Sequence, residues 1–227
     1  MQRILIPLIF GMAGAGVLIW LGLWQMDRLA WKQGVLANIE TRITAGPVAL
    51  PDLPEPARDK YLPVQMSGQF DEGAVRVLVS QKQVGAGYRI ISPFEGEGRR
   101  ILVDRGFIKV DAALPAAPAG AVQITGNLHW PDDRLDSTPE NDVAGNIWFA
   151  RDIGPMAEAL NTEPVLLVLR DMSQPDGAVT PLPVDTGGIP NDHLSYAITW
   201  FSLAAIWLAM TTYYIQRTRR TGKGDSA

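Results

Sequence analysis

LSYAITWFSLAAIWLAMTTYYIQ, residues 194–216, is a run of 23 residues without a charged side chain near the end of the chain. ILIPLIFGMAGAGVLIWLGLW, residues 4–24, is a second such run. A helix rises about 1.5 Å per residue, so either run is long enough to cross about 30 Å of hydrocarbon. The two runs predict two transmembrane helices, and residues 25–193 lie between them as one large exterior segment.

A cleaved signal peptide is the alternative interpretation of the first run. Arg3 precedes the run, and Ala13-Gly14-Ala15 offers small residues of the kind found at cleavage sites. The apolar core of a signal peptide usually spans about 7 to 15 residues, whereas this run continues to Trp24. The length of the run therefore favours an uncleaved membrane anchor.

Charge predicts the orientation of the two spans. Residues 217–227 contain four basic side chains and one acidic one, whereas residues 1–3 contain only Arg3. Residues 25–193 hold more acidic than basic side chains, and the whole chain has a net charge of -4. Lysine and arginine concentrate on the cytoplasmic side of membrane proteins. We therefore expect both termini in the cytoplasm and the large segment outside.

Composition excludes several classes of site. The chain has no cysteine, so disulfides, iron–sulfur clusters, thiolate metal sites and covalent haem attachment are all impossible. With only two histidines, His129 and His193, a histidine-rich zinc or copper site is not expected. The acidic exterior segment also argues against nucleic acid as a partner.

Short stretches rich in β-branched and aromatic residues follow one another in the exterior segment, separated by Gly and Pro. The predicted strands are residues 61–70, 74–81, 88–94, 100–110, 122–130 and 164–170. A helix is predicted at residues 152–161, where Asp152 can cap it, and the first transmembrane helix is expected to continue to about Thr44. The predicted fold is thus an α+β membrane protein: two transmembrane helices flank a β-rich domain, whose antiparallel sheet curls or closes like a barrel.

Two stripes of side chains are expected to meet at the outer membrane boundary. On the second helix, positions three or four apart share one face, and they are His193, Tyr196, Trp200, Leu203 and Trp207. On the first helix, Trp24, Arg28 and Lys32 are four apart. Aromatic residues also form belts at membrane interfaces, and basic residues also act there as snorkelling anchors. A hydrogen bond to the exterior domain would likewise satisfy His193.

Haem is a flat, apolar ring with a metal and acidic substituents, and it would use this whole set of side chains. The imidazole would bind the iron, the aromatic rings would contact the macrocycle, and the cations would meet the propionates. A quinone is the alternative, because it is also flat and apolar and needs a hydrogen-bond donor such as His193. His129 lies at the end of a predicted strand without a ligand pattern around it, and we interpret it as structural.

Three segments resemble signature sequences of the Surfeit locus protein one family: GLWQMDRLAWK (residues 22–32), ILVDRGF (101–107) and NDHLSYAITWFSLA (191–204). The likeness extends over nearly the whole chain. It departs at Asp104 and Phe107, where the family commonly shows Asn and Trp, and at Asp192, where it commonly shows Asn. Members are inner-membrane assembly factors for haem-copper respiratory oxidases, and bacterial members have been assigned binding of haem a through the histidine of the third segment.

The resemblance implies a haem a carrier that is not an enzyme, with His193 as the iron ligand. Beyond the resemblance, our own hypothesis is that Tyr196, Trp200 and Trp24 line the ring and that Arg28 and Lys32 bind the propionates. The resemblance also implies the bacterial inner membrane, with the main domain periplasmic. The catalytic subunit of a haem-copper oxidase would be the partner, with haem a synthase and other assembly factors as further candidates.

Two other functions stay open. The first is a scaffold without a cofactor, which would stabilise oxidase assembly intermediates. The second is a membrane enzyme acting on a quinone or a lipid, which the lack of an evident acid–base pair disfavours. Small residues on both predicted membrane helices also leave room for an oligomer.

Overall fold

The computed structural model describes residues 2–81, 84–177 and 179–224, and it divides into two compact units. A helical unit comprises Met1–Asn38 and Gly187–Ala227, and a sheet unit comprises Ile39–Thr186. Residue 1 and residues 225–227, which belong to the predicted cytoplasmic ends, lie outside the described part of the chain. In chain order the elements are α1 (Gln2–Ile43), α2 (Pro56–Asp59), β1 (Pro63–Phe70), β2 (Val75–Gln81), β3 (Gly85–Gly96), β4 (Arg99–Lys109), β5 (Val122–Leu128), α3 (Ile153–Leu160), β6 (Leu166–Met172) and α4 (His193–Gly224).

Helices α1 and α4 are both long and apolar enough to cross a membrane. The helical segments that contain the apolar stretches extend over Ile4–Thr44 and His193–Arg220. Helix α1 continues without a break beyond Trp24 and ends at Ile43, as the run of good helix formers predicts. The predicted architecture of two membrane helices at the ends of the chain, with a β-rich domain between them, is confirmed.

The two long helices pack against each other in antiparallel directions. The Trp207 Nε1–H donates a hydrogen bond of 2.9 Å to the carbonyl oxygen of Gly11. Nearer the other end of the pair, Gly22 faces the Phe201 ring. A Cβ atom on Gly22 would lie 2.5 Å from that ring, so only glycine allows this approach.

The contact between α1 and α4 follows a heptad pattern. Buried and half-buried positions alternate in steps of four and three along α4, and they are His193, Ala197, Trp200, Ala204, Trp207 and Thr211. On α1 the row with the same spacing is Ile4, Pro7, Gly11, Gly14, Leu18, Leu21 and Gln25, and Ala15 and Gly22 are buried beside this row. A repeat of seven residues describes the seam of a left-handed helix pair. We call these two rows of residues the seam.

The six strands form one sheet, in which β1, β5, β6, β4 and β3 follow one another and β1 also pairs with β3. These five strands therefore close into a ring. The closing pairs are Gly68 with Gly96 and Phe70 with Phe94. The predicted barrel-like closure is confirmed.

The prediction of a wholly antiparallel sheet is wrong at one place, because β4 and β6 are parallel. The other four neighbouring pairs of the ring are antiparallel. Strand direction has to alternate around an antiparallel ring, and five strands cannot alternate completely. One parallel pair is therefore a consequence of closing a ring with an odd number of strands.

Both faces of β4, and of the first half of β6, are buried. Along β4 and β6 successive side chains point to opposite faces, so Ile101, Val103 and Leu167 join one core cluster. Leu102 and Leu166 join another cluster, which packs against Met156 of α3. Asp152 stands at the N-cap position of α3 as predicted, but its carboxylate pairs with Arg134 and does not cap the helix.

Short segments outside the strands pair with free strand edges of the sheet. Val48 bonds along β1, where its N–H donates to Pro63 O at 3.0 Å and its carbonyl accepts from Gln65 N at 2.9 Å. Trp148 bonds along β2 in the same way, through its own N–H to Arg76 O and its carbonyl to Leu78 N.

Substitution of Gly68 by alanine tests the closure of the ring. The added Cβ would lie 2.1 Å from the carbonyl oxygen of Glu95, so the β1–β3 pairing would have to open. We expect Gly68→Ala to lower the free energy of unfolding by more than about 2 kcal/mol, measured by denaturant unfolding of the full chain in detergent. Gly46→Ala is the control, because nothing lies within 4 Å of its Cβ position. Equal stability of the two variants would contradict the closure.

Candidate functional site

His193 is the first residue of α4, and its half-buried ring contacts α1. The ring Nδ1 lies 2.7 Å from the Oε1 atom of Gln25. An amide oxygen only accepts hydrogen bonds, so Nδ1 is the donor and carries the hydrogen. A ring held through Nδ1 leaves Nε2 as the ring nitrogen that could bind a metal.

Gln25 is the site residue that sequence reasoning missed. It stands directly after Trp24 and was not distinguished by charge or by aromatic character. The seam explains its position, since Gln25 falls in the same heptad row as Leu18 and Gly11. That row faces α4, so a polar residue in it has to find a partner there.

Among the described residues there is no group of three or more His, Asp or Glu side chains that could hold a metal ion. Within the described part of the chain, the His193 ring is held by the hydrogen bond from Nδ1 to the Gln25 side chain. The arrangement fits a haem iron, because the four pyrrole nitrogens already bind the metal and one axial imidazole suffices.

The aromatic residues of the predicted site lie on and beside the seam. Trp200 is half-buried in it, in line with His193. Tyr196 and Trp24 flank it, with 56% and 47% of their surfaces exposed. The single stripe predicted on α4 is therefore divided. His193, Trp200 and Trp207 lie in the seam, whereas Tyr196 and Leu203 lie on one flank of it.

The two cations lie further along α1. The Arg28 guanidinium carbon is 4.3 Å from the centroid of the Trp31 ring, which is a cation–π contact. Lys32 is half-buried one turn beyond Arg28. A role of either residue towards propionates stays a prediction.

His129, in the sheet unit, has a different environment. Its ring stacks on Tyr61 with 5.6 Å between centroids, and its Nδ1 is buried without a hydrogen-bond partner in the described structure. Burial lowers the pKa of His129 to about 4, and the positive charges of Arg151 and Lys60 add to this effect.

The charged residues of the ILVDRGF segment hold the sheet unit together. The buried Asp104 carboxylate accepts from Gly106 N at 3.1 Å and from Arg89 at 2.5 Å. Burial raises the pKa of Asp104, and the positive charge of Arg89 opposes this rise. Arg105 is also buried, and it pairs with Asp176 and donates to Ala116 O. An Asn at position 104 would keep the bond to Gly106 but would leave Arg89 without its ion pair.

Comparisons with known proteins cover both units. The sequence profile of the SURF1 family matches residues 12–205. Surfeit locus protein 1 of Xenopus tropicalis is 28% identical over 223 residues, which cover 85% of this chain and 69% of that protein. The human Surfeit locus protein 1 is 29% identical over 210 residues, covering 82% and 69%. A SURF1-like protein of Monosiga brevicollis is 32% identical over 214 residues, covering 85% and 81%.

The buried His129 ring predicts a loss of stability in acid. Its folded pKa of about 4 lies below the ordinary value of 6.5, so the unfolded chain binds a proton first as the pH falls. Between pH 6.5 and 4 the free energy of unfolding should fall by up to about 3 kcal/mol. His129→Phe keeps a flat ring against Tyr61 and removes the proton site. Denaturant unfolding at pH 7 and pH 4.5 should show that the native chain loses more stability than this variant at the lower pH, so that the difference between the two chains changes. A constant difference would contradict the assignment.

Proposed function

The chain belongs to the SURF1 family, and we propose on this premise that it is an assembly factor for a haem-copper terminal oxidase. In this proposal it binds haem a and assists its insertion into the catalytic subunit, its main partner. Haem a synthase and other assembly factors are further partners. The protein would lie in a bacterial inner membrane, with the sheet unit periplasmic and both termini cytoplasmic.

The observation that carries the proposal is the hydrogen bond between His193 and Gln25. Metal-binding histidines generally donate their second ring N–H to a fixed acceptor, which sets the tautomer and the ring orientation. Gln25 supplies that acceptor, and it lies on the other helix of the pair. His193 is thereby prepared for an iron before any haem arrives.

The surroundings of His193 suit a ring that is apolar except at one edge. Tyr196 and Trp24 present exposed aromatic surface on the flank of the seam, where a macrocycle can contact them. Arg28 and Lys32 follow at intervals of about 6 Å along α1, towards the sheet-unit end of this helix. Cations at that end would meet the propionates of a haem whose apolar edge faces the membrane.

A single imidazole ligand also suits a carrier. Release of the haem requires one iron–nitrogen bond to break, so the dissociation rate can be adjusted without unfolding a closed pocket. The protein performs no chemistry on the haem in this scheme. It orients the ring, shields part of it from water and gives it up to the subunit.

A scaffold without a cofactor is the second candidate, and the same hydrogen bond supports it. In that case the contact between His193 and Gln25 serves only to lock α1 to α4. The two candidates differ in whether the Nε2 atom of His193 is used.

Removal of the imidazole distinguishes these two functions. The purified chain should shift the Soret band of added haem a, and His193→Ala should bind it at least about a hundredfold more weakly. His129→Phe is the control, and it should bind like the native chain because its ring lies in the sheet unit. An equal spectrum and affinity in His193→Ala would exclude His193 as the ligand, and the absence of a Soret shift with the native chain would favour the scaffold.

Substitution of Gln25 tests the orientation of the ring. Gln25→Leu has a similar size but no acceptor, and we expect haem a affinity to fall about 10- to 100-fold. Gln25→Glu keeps the acceptor and makes the imidazole more electron-donating. It should retain binding and shift the reduction potential of the bound haem to a more negative value. A purely structural contact would leave that potential unchanged, and unaltered affinity in Gln25→Leu would disprove the role.

A further inference from the structure

An apolar groove lies along one flank of the helix pair, on the membrane-buried part of the seam. Its cavity volume is about 430 Å³, within the range of about 300–1,000 Å³ typical of small-molecule sites. Gly14, Val17 and Leu18 form one wall, and Leu203, Ile206 and Trp207 form the other. A second cavity of about 220 Å³ continues from Trp207 and Met210, which line both.

The groove lies on the same flank as the candidate site. Residues seven positions apart return to nearly the same face in a heptad-packed helix pair. Each pair of such residues has one member in the groove and one at the site: Val17 with Trp24, Leu18 with Gln25, Leu203 with Tyr196, and Trp207 with Trp200. The groove is therefore the continuation of the candidate site, one heptad deeper in the membrane.

The distance between His193 and the groove matches the length of an isoprenoid substituent on a ring bound at His193. Leu203 lies ten residues after His193, a rise of about 15 Å along α4, and Leu18 lies about 10 Å from Gln25 along α1. Haem a differs from haem b partly by a hydroxyethylfarnesyl chain, whose extended length is about 15 Å, half the hydrocarbon core. A ring held at His193 could thus lay this chain along the helices.

We propose that the groove between Val17, Leu18, Leu203 and Ile206 receives the isoprenoid chain of the carried haem, which rests on haem binding at His193 as proposed above. Lipid chains compete for any apolar groove inside a membrane. A chain tethered to a ring at His193 has a high effective concentration at the groove, so it displaces lipid that is not tethered. The groove would make the protein selective for haems that carry the chain.

Three haems separate the contributions of ring, chain and formyl group. Haem b lacks the isoprenoid chain, haem o carries it, and haem a carries it together with a formyl group. We would titrate each haem into the full-length protein in lipid nanodiscs and follow the Soret band, with empty nanodiscs as the reference for partition into lipid. The native chain should bind haem o at least about tenfold more tightly than haem b.

Filling the groove should remove this preference. Val17 is 57% exposed and lines the groove without being part of the seam, so Val17→Trp adds bulk only there. We expect the preference for haem o over haem b to fall below about threefold, with haem b affinity within about twofold of the native value. Ile19→Trp is the matched control, since Ile19 is also exposed on α1 but lies outside the groove, and it should keep the preference. Ile206→Trp fills the groove from the facing wall and should act like Val17→Trp.

Each outcome separates the two proposals. Absence of any haem binding by the native chain would overturn the proposed function. Binding of haems b and o with equal affinity would overturn the groove proposal and leave binding at His193 intact. An undiminished preference in both Val17→Trp and Ile206→Trp would also overturn it, and so would an equal loss of haems b and o in both variants.

Discussion

The candidate site depends on the close approach of α1 and α4. Glycines on α1 permit this approach, and aromatic rings on α4 pack against them. Gly14 lies against the Trp207 indole and Gly22 faces Phe201, where added methyl groups would collide. These contacts set both the rotation and the register of the helices. A shift of one residue would rotate a side chain by about 100° around its helix axis. The meeting of Gln25 with His193 is therefore a result of packing that extends from about 4 Å (Gly22) to about 16 Å (Gly14) away from Gln25 along α1.

A carrier has to hold its cargo firmly and still release it, and the helix pair offers a way to do both. The proposed iron contact is directional and single, whereas the proposed chain contact is apolar and spread over many atoms. In hydrocarbon the second kind of contact gains little from the hydrophobic effect, because lipid is equally apolar. It contributes mainly position and selectivity. Binding strength would then be set largely at His193, where a partner protein could compete for the iron.

Much of the fold could be predicted from the sequence, because charge-free runs and stretches of β-branched residues determine helices and strands within their own segments. The extent of α1 and the order of strands and helices follow from such patterns. The parallel pairing of β4 with β6 does not, since it results from the number of strands in a closed ring. The role of Gln25 was hidden for a related reason: spacing shows which residues share a face of one helix, but not which face meets the other helix. Tyr196 and Trp200 were grouped by spacing, yet packing puts only Trp200 in the seam.

The covered strand edges affect how the sheet can contact other polypeptide chains. An exposed strand edge offers a row of unpaired amide and carbonyl groups, onto which a strand of another chain can add. Val48 and Trp148 occupy those positions on β1 and β2. At these two places, the backbone groups of β1 and β2 are already paired and are not open to a strand of another chain.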